Sequence, residues 1–497
     1  MKGRMGYWLL ALLLTVSIVG PAVAQEPAGE PVRIGVATEV TGKAAMSGDH
    51  AVKGANLAMA EINAAGGVLG RPLELVIEDT QSTNPGAISA YNRLVQEDQV
   101  VAVIAPIRST QIQSMDAMIR EAQLVTVMGG TNTNLTEVGD EWLFRFRPPD
   151  KYAGQAMVEY LVEDLGLSEV GIIHDTDAFG SGGADVVEAA LQAKGLAATT
   201  RQQYTTGDKD YAAQILSLKN AGSKAIVIYG TNSEDDAIIL RTVMDLTPGM
   251  VIMGSPSNVA QVTIDLGGDA VEGIYSVTDF FAEAGPTTEA FVKNYGAAYD
   301  GAMPDLYASW IYDAVYGLKN AIDAAGSTDP AAIREAMFEL QDIPSAEGVV
   351  NCALNGDCAH TYYVVQVENG KPKLITPINF WKPVAEEAGG ASSEADAAAA
   401  DHDTDFPLPA NVQNFMGQGG ESQINFQTTA SLEDLLDFYT SAFSDTGLSR
   451  IDLLTVVNDT MFSTAFEGRA DGKWTVVQCV ALGKDLTNVS VRLEDAR

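Results

Sequence analysis

From Val32 onward the chain alternates short apolar runs with amphipathic segments of helical period, and this alternation narrows the fold more than any other feature. The runs Val32–Ala37, Leu73–Glu78, Val101–Ala105, Leu124–Met128, Glu169–His174, Ala225–Tyr229, Met250–Met253 and Gly273–Val277 predict strands. Between them Ala51–Asn63, Gly86–Glu97, Gln111–Ala122, Tyr152–Leu165, Ala184–Lys194, Tyr211–Ala221 and Asp235–Asp245 predict helices. A helix that returns the chain to the next strand makes a parallel sheet covered on both faces, the α/β class. One sheet seldom takes so many strands, so the pattern predicts two lobes divided near Phe144–Pro149, where Pro148-Pro149 suits neither helix nor strand. Two later helices, Glu289–Tyr299 and Tyr307–Ala325, precede a hairpin region from Gly348 to Phe380 with no crossover helix.

The ends of the chain differ from this body. Lys2 and Arg4 precede an apolar run from Trp8 to Val19, and Ala22-Val23-Ala24 supplies small residues, so residues 1–24 are expected to be a cleaved signal peptide and the mature protein periplasmic or extracellular. The run is short of the ~20 apolar residues that span a bilayer. From Val384 to Asp405 Ala, Gly and Ser dominate and nearly every charge is acidic, which is the composition of a linker. Beyond it, 406–497 resumes a globular pattern: a strand at Ile424–Thr428, a helix opened by Ser431 and closed by Gly447, and strands at Met461–Phe466, Trp474–Leu482 and Val489–Leu493 predict a small β-α-β-β-β domain of α+β type, with no chemistry of its own in view.

Charge and residue counts exclude several functions. With 66 Asp and Glu against 30 Lys and Arg, a formal charge of −36 repels polyphosphate, so nucleic acid and anionic membrane surfaces are poor partners. The three cysteines lack C-x-x-C spacing, and the four histidines are scattered without H-E-x-x-H, so no metal site or cofactor is expected. Gly180-Ser181-Gly182-Gly183 follows a strand and opens a helix like a dinucleotide fingerprint, but Asp185 stands at the third glycine and would face the pyrophosphate. There is no Walker A sequence and no G-x-S-x-G elbow, and His174-Asp175 has no identifiable nucleophile beside it. No catalytic residue is assigned, and a Rossmann-type enzyme is disfavoured.

Binding remains. In open α/β sheets the ligand lies beyond the carboxyl ends of the strands, where helix N-termini offer free N–H groups. Two segments have this form, Ala105-Pro106-Ile107-Arg108-Ser109-Thr110 and Met128-Gly129-Gly130-Thr131-Asn132. Their hydroxyls and amides, at Ser109, Thr110, Gly130 and Thr131, suit a small carboxylate. Ser109 also suits the N-cap of its helix.

The order of motifs then resembles one family. Thr41-Gly42, Gly48, Gly54-Ala55, Glu61-Ile62-Asn63-Ala64-Ala65-Gly66-Gly67, Gly70-Arg71-Pro72 and Glu78-Asp79 follow the opening of the branched-chain amino-acid-binding proteins of bacterial ABC importers. The similarity continues through Val103-Ile104-Ala105-Pro106, Thr131-Asn132, His174-Asp175 with Phe179-Gly180, Tyr307 to Ala314, and Asn355-Gly356-Asp357 before Tyr362-Tyr363-Val364-Val365. It implies a two-lobed type I periplasmic-binding-protein fold over about 30–383, with two Rossmann-like lobes, a three-crossover hinge and a cleft that closes on its ligand. Lobe 1 is expected at about 30–146 and 279–347, and lobe 2 at about 147–278 and 348–383.

Carried over by position, the resemblance puts Ser109 and Thr131 at the ligand carboxylate and Asp150 at its ammonium. Ser47, Phe179 and Asn232 fall where the family lines the side-chain pocket or meets the amino group. A second acid of the family falls near Pro256, which carries no charge. Arg108 adds a positive charge at the carboxylate end, or else is a solvated cation on the lobe surface. The resemblance implies a receptor, monomeric and without catalysis, that passes an amino acid or a related acid or amide to an ABC permease. A sensory receptor that signals on closure is the alternative.

Cys352 and Cys358 flank a predicted hairpin tip, and an oxidising compartment permits them to pair. With Asn355-Gly356 as a two-residue turn the thiols fall on opposite faces of the ribbon; with Leu354-Asn355-Gly356 as a three-residue loop, Cys352 opposes Cys358 and Gly356 takes the left-handed conformation. A disulfide favours the longer loop, and free thiols fit the shorter.

Overall fold

A computed structural model describes residues 27–378, apart from 138, 353 and 354, and in the C-terminal region 404, 406–409, 411–416, 423–451, 455–457, 461–470, 472–481 and 487–495. The expected signal peptide, and the expected linker apart from Thr404, lie outside the described residues.

The apolar runs pair as parallel strands because a run buried on both faces needs helices above and below it. β1 (Val32–Thr38), β2 (Leu73–Asp79), β3 (Ala102–Ile104), β4 (Thr126–Met128) and β5 (Leu143–Arg145) form one sheet in the order β2-β1-β3-β4-β5. β6 (Val170–Asp175), β7 (Arg201–Tyr204), β8 (Ala225–Tyr229), β9 (Val251–Gly254) and β10 (Tyr275–Thr278) repeat that order as β7-β6-β8-β9-β10. Three short strands, β11 (Ile343–Ser345), β12 (Gly348–Cys352) and β13 (Cys358–Ala359), make a separate antiparallel sheet. β14 (Tyr362–Glu368) and β15 (Lys371–Ile378) then join the second sheet antiparallel beside β10.

Helices close the lobes. Asp305 caps the helix Leu306–Ala325, which ends at Gly326 with φ +60°, and Trp310, Ile311 and Ala314 pack this helix into the first lobe's core. It crosses the helix Ala45–Ala64 at Gly54, where a Cβ would lie 2.1 Å from the Ala308 carbonyl oxygen. The glycine lets the two backbones touch.

The chain crosses between lobes three times, near Phe146–Pro149, near Asp279–Phe280 and near His360–Tyr362. The last crossing lies later than the expected boundary at 347/348. Val350, Cys352 and Cys358 bury in the first lobe's core, and the Arg145 N–H donates to the Gly356 carbonyl (2.8 Å), so 348–359 belong to lobe 1. Apolar alternation in the hairpin did not reveal which lobe it covers.

Buried charges tie these crossings together. Arg147 Nε donates to Asp279 Oδ2 (2.5 Å), the Tyr362 hydroxyl donates to the Pro148 carbonyl (3.0 Å), and His360 faces Glu347.

The chain separates into two compact units, Met1–Pro383 and Val384–Arg497. The second has an antiparallel sheet that includes Gln413–Met416 and short strands at Ser449–Arg450 and Val456–Val457, beyond the four expected strands. Its helix Leu432–Asp445 packs Leu435, Tyr439 and Phe443 against Phe462, Val477 and Val489. The N-cap is Ser431, whose Oγ accepts from the Asp434 N–H.

Candidate functional site

In each sheet the strand order reverses between the first and third strands, so both lobes have a switch point at their carboxyl ends, β1/β3 in one and β6/β8 in the other. From lobe 1 come the turns after β1, β3 and β4; from lobe 2 come those after β6, β8 and β9.

On the lobe 1 side, the helix Ser109–Ala122 starts after Arg108, whose side chain makes no cap. Ser109 is not the cap either, because its Oγ accepts from the Asn132 N–H (3.3 Å) and so joins the two expected binding turns. Arg145, fully buried, donates to the carbonyls of Thr131 (2.8 Å) and Thr133 (3.2 Å) and fixes the second turn. Gly130 fits because a Cβ there would press on Leu135 and Ser109. Thr131 is buried, and its side chain hydrogen-bonds toward the Asp150 carboxyl.

On the lobe 2 side, Asp150 opens the helix Asp150–Glu159, and its N–H donates to the Thr131 carbonyl (2.8 Å). Oδ1 accepts from the Tyr229 hydroxyl (2.9 Å), and the Thr131 side chain also supports the carboxyl. Burial pushes the Asp150 carboxyl up to about 6, against the hydrogen bonds from Tyr229 and Thr131 and the charges of Arg145 and Arg147. Phe179 packs against Tyr229 with ring centroids 4.9 Å apart. Asn232 is the buried residue before the helix Ser233–Leu246, and Ser47 lies buried in the first helix.

Contacts across the cleft hold the lobes together. Thr110 Oγ1 accepts from the Ala178 N–H (2.8 Å), Asn132 Nδ2 donates to the Ala178 carbonyl (2.6 Å), and Lys43 Nζ donates to the Thr206 carbonyl (2.7 Å). The Tyr307 and Ser233 hydroxyls lie 3.1 Å apart. Between the lobes lies a cavity of about 30 Å³. Lobe 1 contributes Ile107, Arg108, Leu306 and Tyr307 to its wall, and Arg147 enters from the hinge. Lobe 2 contributes Phe179, Gly230, Thr231, Pro256 and Ser257. A larger hollow of about 470 Å³, beside His174 and Arg201, is confined to lobe 2. Being walled by one lobe only, it cannot couple a ligand to closure.

Residues 31–372 match the family described as periplasmic binding protein. The chain belongs to the periplasmic binding protein family. An amino acid binding protein of Pseudomonas aeruginosa is 28% identical over 342 residues, covering 68% of this chain and 91% of the relative. Leu/Ile/Val-binding protein homolog 3 of Brucella melitensis is 26% identical over 364 residues, 73% of this chain and 98% of the relative. Among solved structures, a leucine-binding protein from Thermotoga maritima matches with a TM-score of 0.65 and 27% identity, covering 70% of this chain and 98% of its own. As a periplasmic binding protein the chain is a solute-binding receptor, not an enzyme.

Within this periplasmic binding protein the expected residues divide into two groups. Arg108 and Phe179 line the cavity, as does Pro256. Ser109, Thr110, Gly130, Thr131 and Asp150 form the seam between the lobes just behind it, while Ser47 and Asn232 sit beside Tyr307 and Ser233, outside the wall. Arg108 is not a solvated surface cation, for it is only 8% exposed and lies between Glu39 and Asp177, 3.8 Å from each.

Sequence reasoning did not single out Arg147, Tyr229, Thr231, Ser257 or Glu39. Tyr229-Gly230-Thr231 closes an apolar strand, so position alone would have flagged it. Arg147 falls in the Pro-flanked divide that was treated only as a boundary.

Among the described residues, Asp279, Glu347 and His360 bring ligand-type atoms within 4.8 Å of one another. Arg147 already occupies Asp279 and His360 faces Glu347, so the charges balance within the hinge. The group is an ion-pair network rather than a metal centre.

Proposed function

We propose that the chain is secreted through a signal peptide at 1–24 and acts, as a monomer, as an extracytoplasmic receptor that closes on a small ligand and hands it to an ABC permease. The ligand is an amino acid or a related carboxylate or amide. The observation that carries this is the interlobe cavity, whose wall is drawn from both lobes and the hinge. A ligand touching both lobes favours the closed state by its differential affinity, and the closed shape is what a permease can distinguish. On the cavity wall Arg108 carries a buried Nε that makes no hydrogen bond within the protein. Such a donor is costly unless a ligand completes it. The amino acid and Leu/Ile/Val-binding relatives support the ligand class.

The test is a thermal-shift screen of the mature protein against amino acids, small carboxylic acids and amides. Binding to the native state alone raises the midpoint by linkage. A rise with one class and capture of the cognate permease by the loaded protein are expected; no shift with any class would remove the receptor assignment.

A further inference from the structure

We propose that Arg108 is the specificity-determining residue of the cleft and that it selects a small carboxylic acid with an apolar body and no ammonium group. The proposal rests on the receptor function above and narrows its ligand.

The charge on the cavity wall is one-sided. Among the described residues its charged lining is Arg108 and Arg147, with no carboxylate. Arg147 is spoken for, since Nε donates to Asp279 Oδ2 (2.5 Å) and Nη1 to the Gly129 carbonyl (3.0 Å). Arg108 is not. Its Nε is buried with no hydrogen-bond acceptor, and its flanking carboxylates stand 3.8 Å away, beyond hydrogen-bond length. Both carboxylates already serve other donors, Glu39 Oε2 accepting from the Thr38 hydroxyl (3.3 Å) and Asp177 Oδ2 from the Thr206 hydroxyl (3.0 Å). Glu39 and Asp177 therefore hold the guanidinium in place without using its planar fork, the donor array that matches a carboxylate.

The rest of the wall offers an ammonium hydroxyl oxygens but no counter-charge. Pro256 has no charge, Thr231 and Ser257 contribute hydroxyls, and Phe179 and Leu306 contribute apolar surface. Asp150, the acid expected to meet an amino group, is off the wall, bonded to Tyr229 and facing the charges of Arg145 and Arg147. A zwitterion would place its ammonium in the site without a carboxylate to balance it, a cost that an acid of the same shape does not carry.

Calorimetry on the full mature chain with a matched pair decides the matter: leucine against 4-methyl-2-oxopentanoate, in which a carbonyl replaces the amino group, with 3-methylbutanoate and benzoate as further acids. At least one acid should bind about tenfold more tightly than leucine, and Arg108→Gln should weaken that acid by about tenfold while Arg108→Lys weakens it less. Leucine binding more tightly than every acid would overturn the proposal and leave the receptor assignment standing. Acid affinity within about threefold of wild type in Arg108→Gln would likewise overturn it, since a lost charge-assisted bond costs more. If Arg108→Gln does not fold, the wild-type comparison and Arg108→Lys still decide. No response to any acid, amino acid or amide would overturn the receptor assignment itself.

Discussion

His360 Nε2 lies 2.9 Å from Glu347 Oε2, with both side chains fully buried at the third crossing between the lobes. Burial disfavours the charged imidazole, but Glu347, with Asp279 and Asp313 nearby, outweighs it and raises the His360 pKa above 6.5. Asp313, which accepts from the Ala346 and Glu347 N–H groups, is pushed up to about 8, chiefly by burial and then by Glu347.

A pH dependence follows from that pair. The folded hinge holds protons that the unfolded chain releases, so the stability from His360 is complete below pH 6.5 and is lost as pH rises through the raised folded value; Asp313 acts in the same direction up to about 8. The ligand-free thermal midpoint should fall between pH 6.5 and 9. His360→Gln should cost about 3 kcal/mol near pH 6, since it strands a buried carboxylate, and should flatten the decline. A midpoint that rises over this range would contradict the assignment.

Asp150 supplies a second titration. Its folded value of about 6 lies above the ordinary 3.8, so its ionisation costs stability as pH rises from 4 through 6. Asp150→Asn keeps an acceptor for the Tyr229 hydroxyl and removes that cost. The variant should match wild type near pH 4 and exceed it by about 2–3 kcal/mol at pH 8. Equal unfolding curves at both pH values would mean that the folded carboxyl titrates at its ordinary value, its charge fully compensated by its surroundings.

Closure depends on a few bonds across the cleft. Thr110→Val removes the acceptor for the Ala178 N–H, and Asn132→Ala removes the donor to the Ala178 carbonyl. Each bond contributes about 1 kcal/mol to the closed state, so each variant should bind ligand about fivefold more weakly, and small-angle scattering should show a larger radius of gyration. Unchanged affinity together with unchanged scattering would show that these bonds form without governing closure.

The C-terminal unit should be dispensable for binding. Every residue lining the cavity lies before Pro383, where the two compact units separate. A chain ending at Pro383 should therefore retain full-length affinity in calorimetry, within about twofold. A large loss would bring 406–497 into the site.

The strands were legible because burial on both faces demands continuous apolar runs, as Ala225–Tyr229 shows. The short edge strand Arg201–Tyr204 was not, because Arg-Gln-Gln-Tyr carries no such signature. That Ser109, Thr131 and Asp150 meet at one seam could be anticipated from strand ends and motif order. The setting of Arg108 could not, since Glu39 lies far away in sequence and reaches it only through the folded first sheet, and Asp177 meets it only when the lobes come together. The same limit applies to the 348–359 segment, whose attachment to lobe 1 depends on Asp357 meeting Arg145 (3.0 Å) and Thr136 (2.9 Å).

That attachment bears on the disulfide. Cys352 and Cys358 are directly paired across β12 and β13 and are bonded, and Gly356 between them has φ +87°. This is the register of the three-residue loop. Gly356 is also pressed against lobe 1, where a Cβ would lie 2.3 Å from the Leu143 carbonyl oxygen. The bridged loop encloses few residues, so the chain-entropy model gives only ~2 kcal/mol, and reduction should lower the thermal midpoint without abolishing ligand binding. Burial pushes the remaining thiol, Cys479, up, so it should be inert in the folded protein. Thiol labelling of unreduced, denatured protein should therefore modify Cys479 alone, whereas labelling of all three cysteines would exclude the bridge and leave the loop register to Gly356 and the Arg145–Asp357 contact.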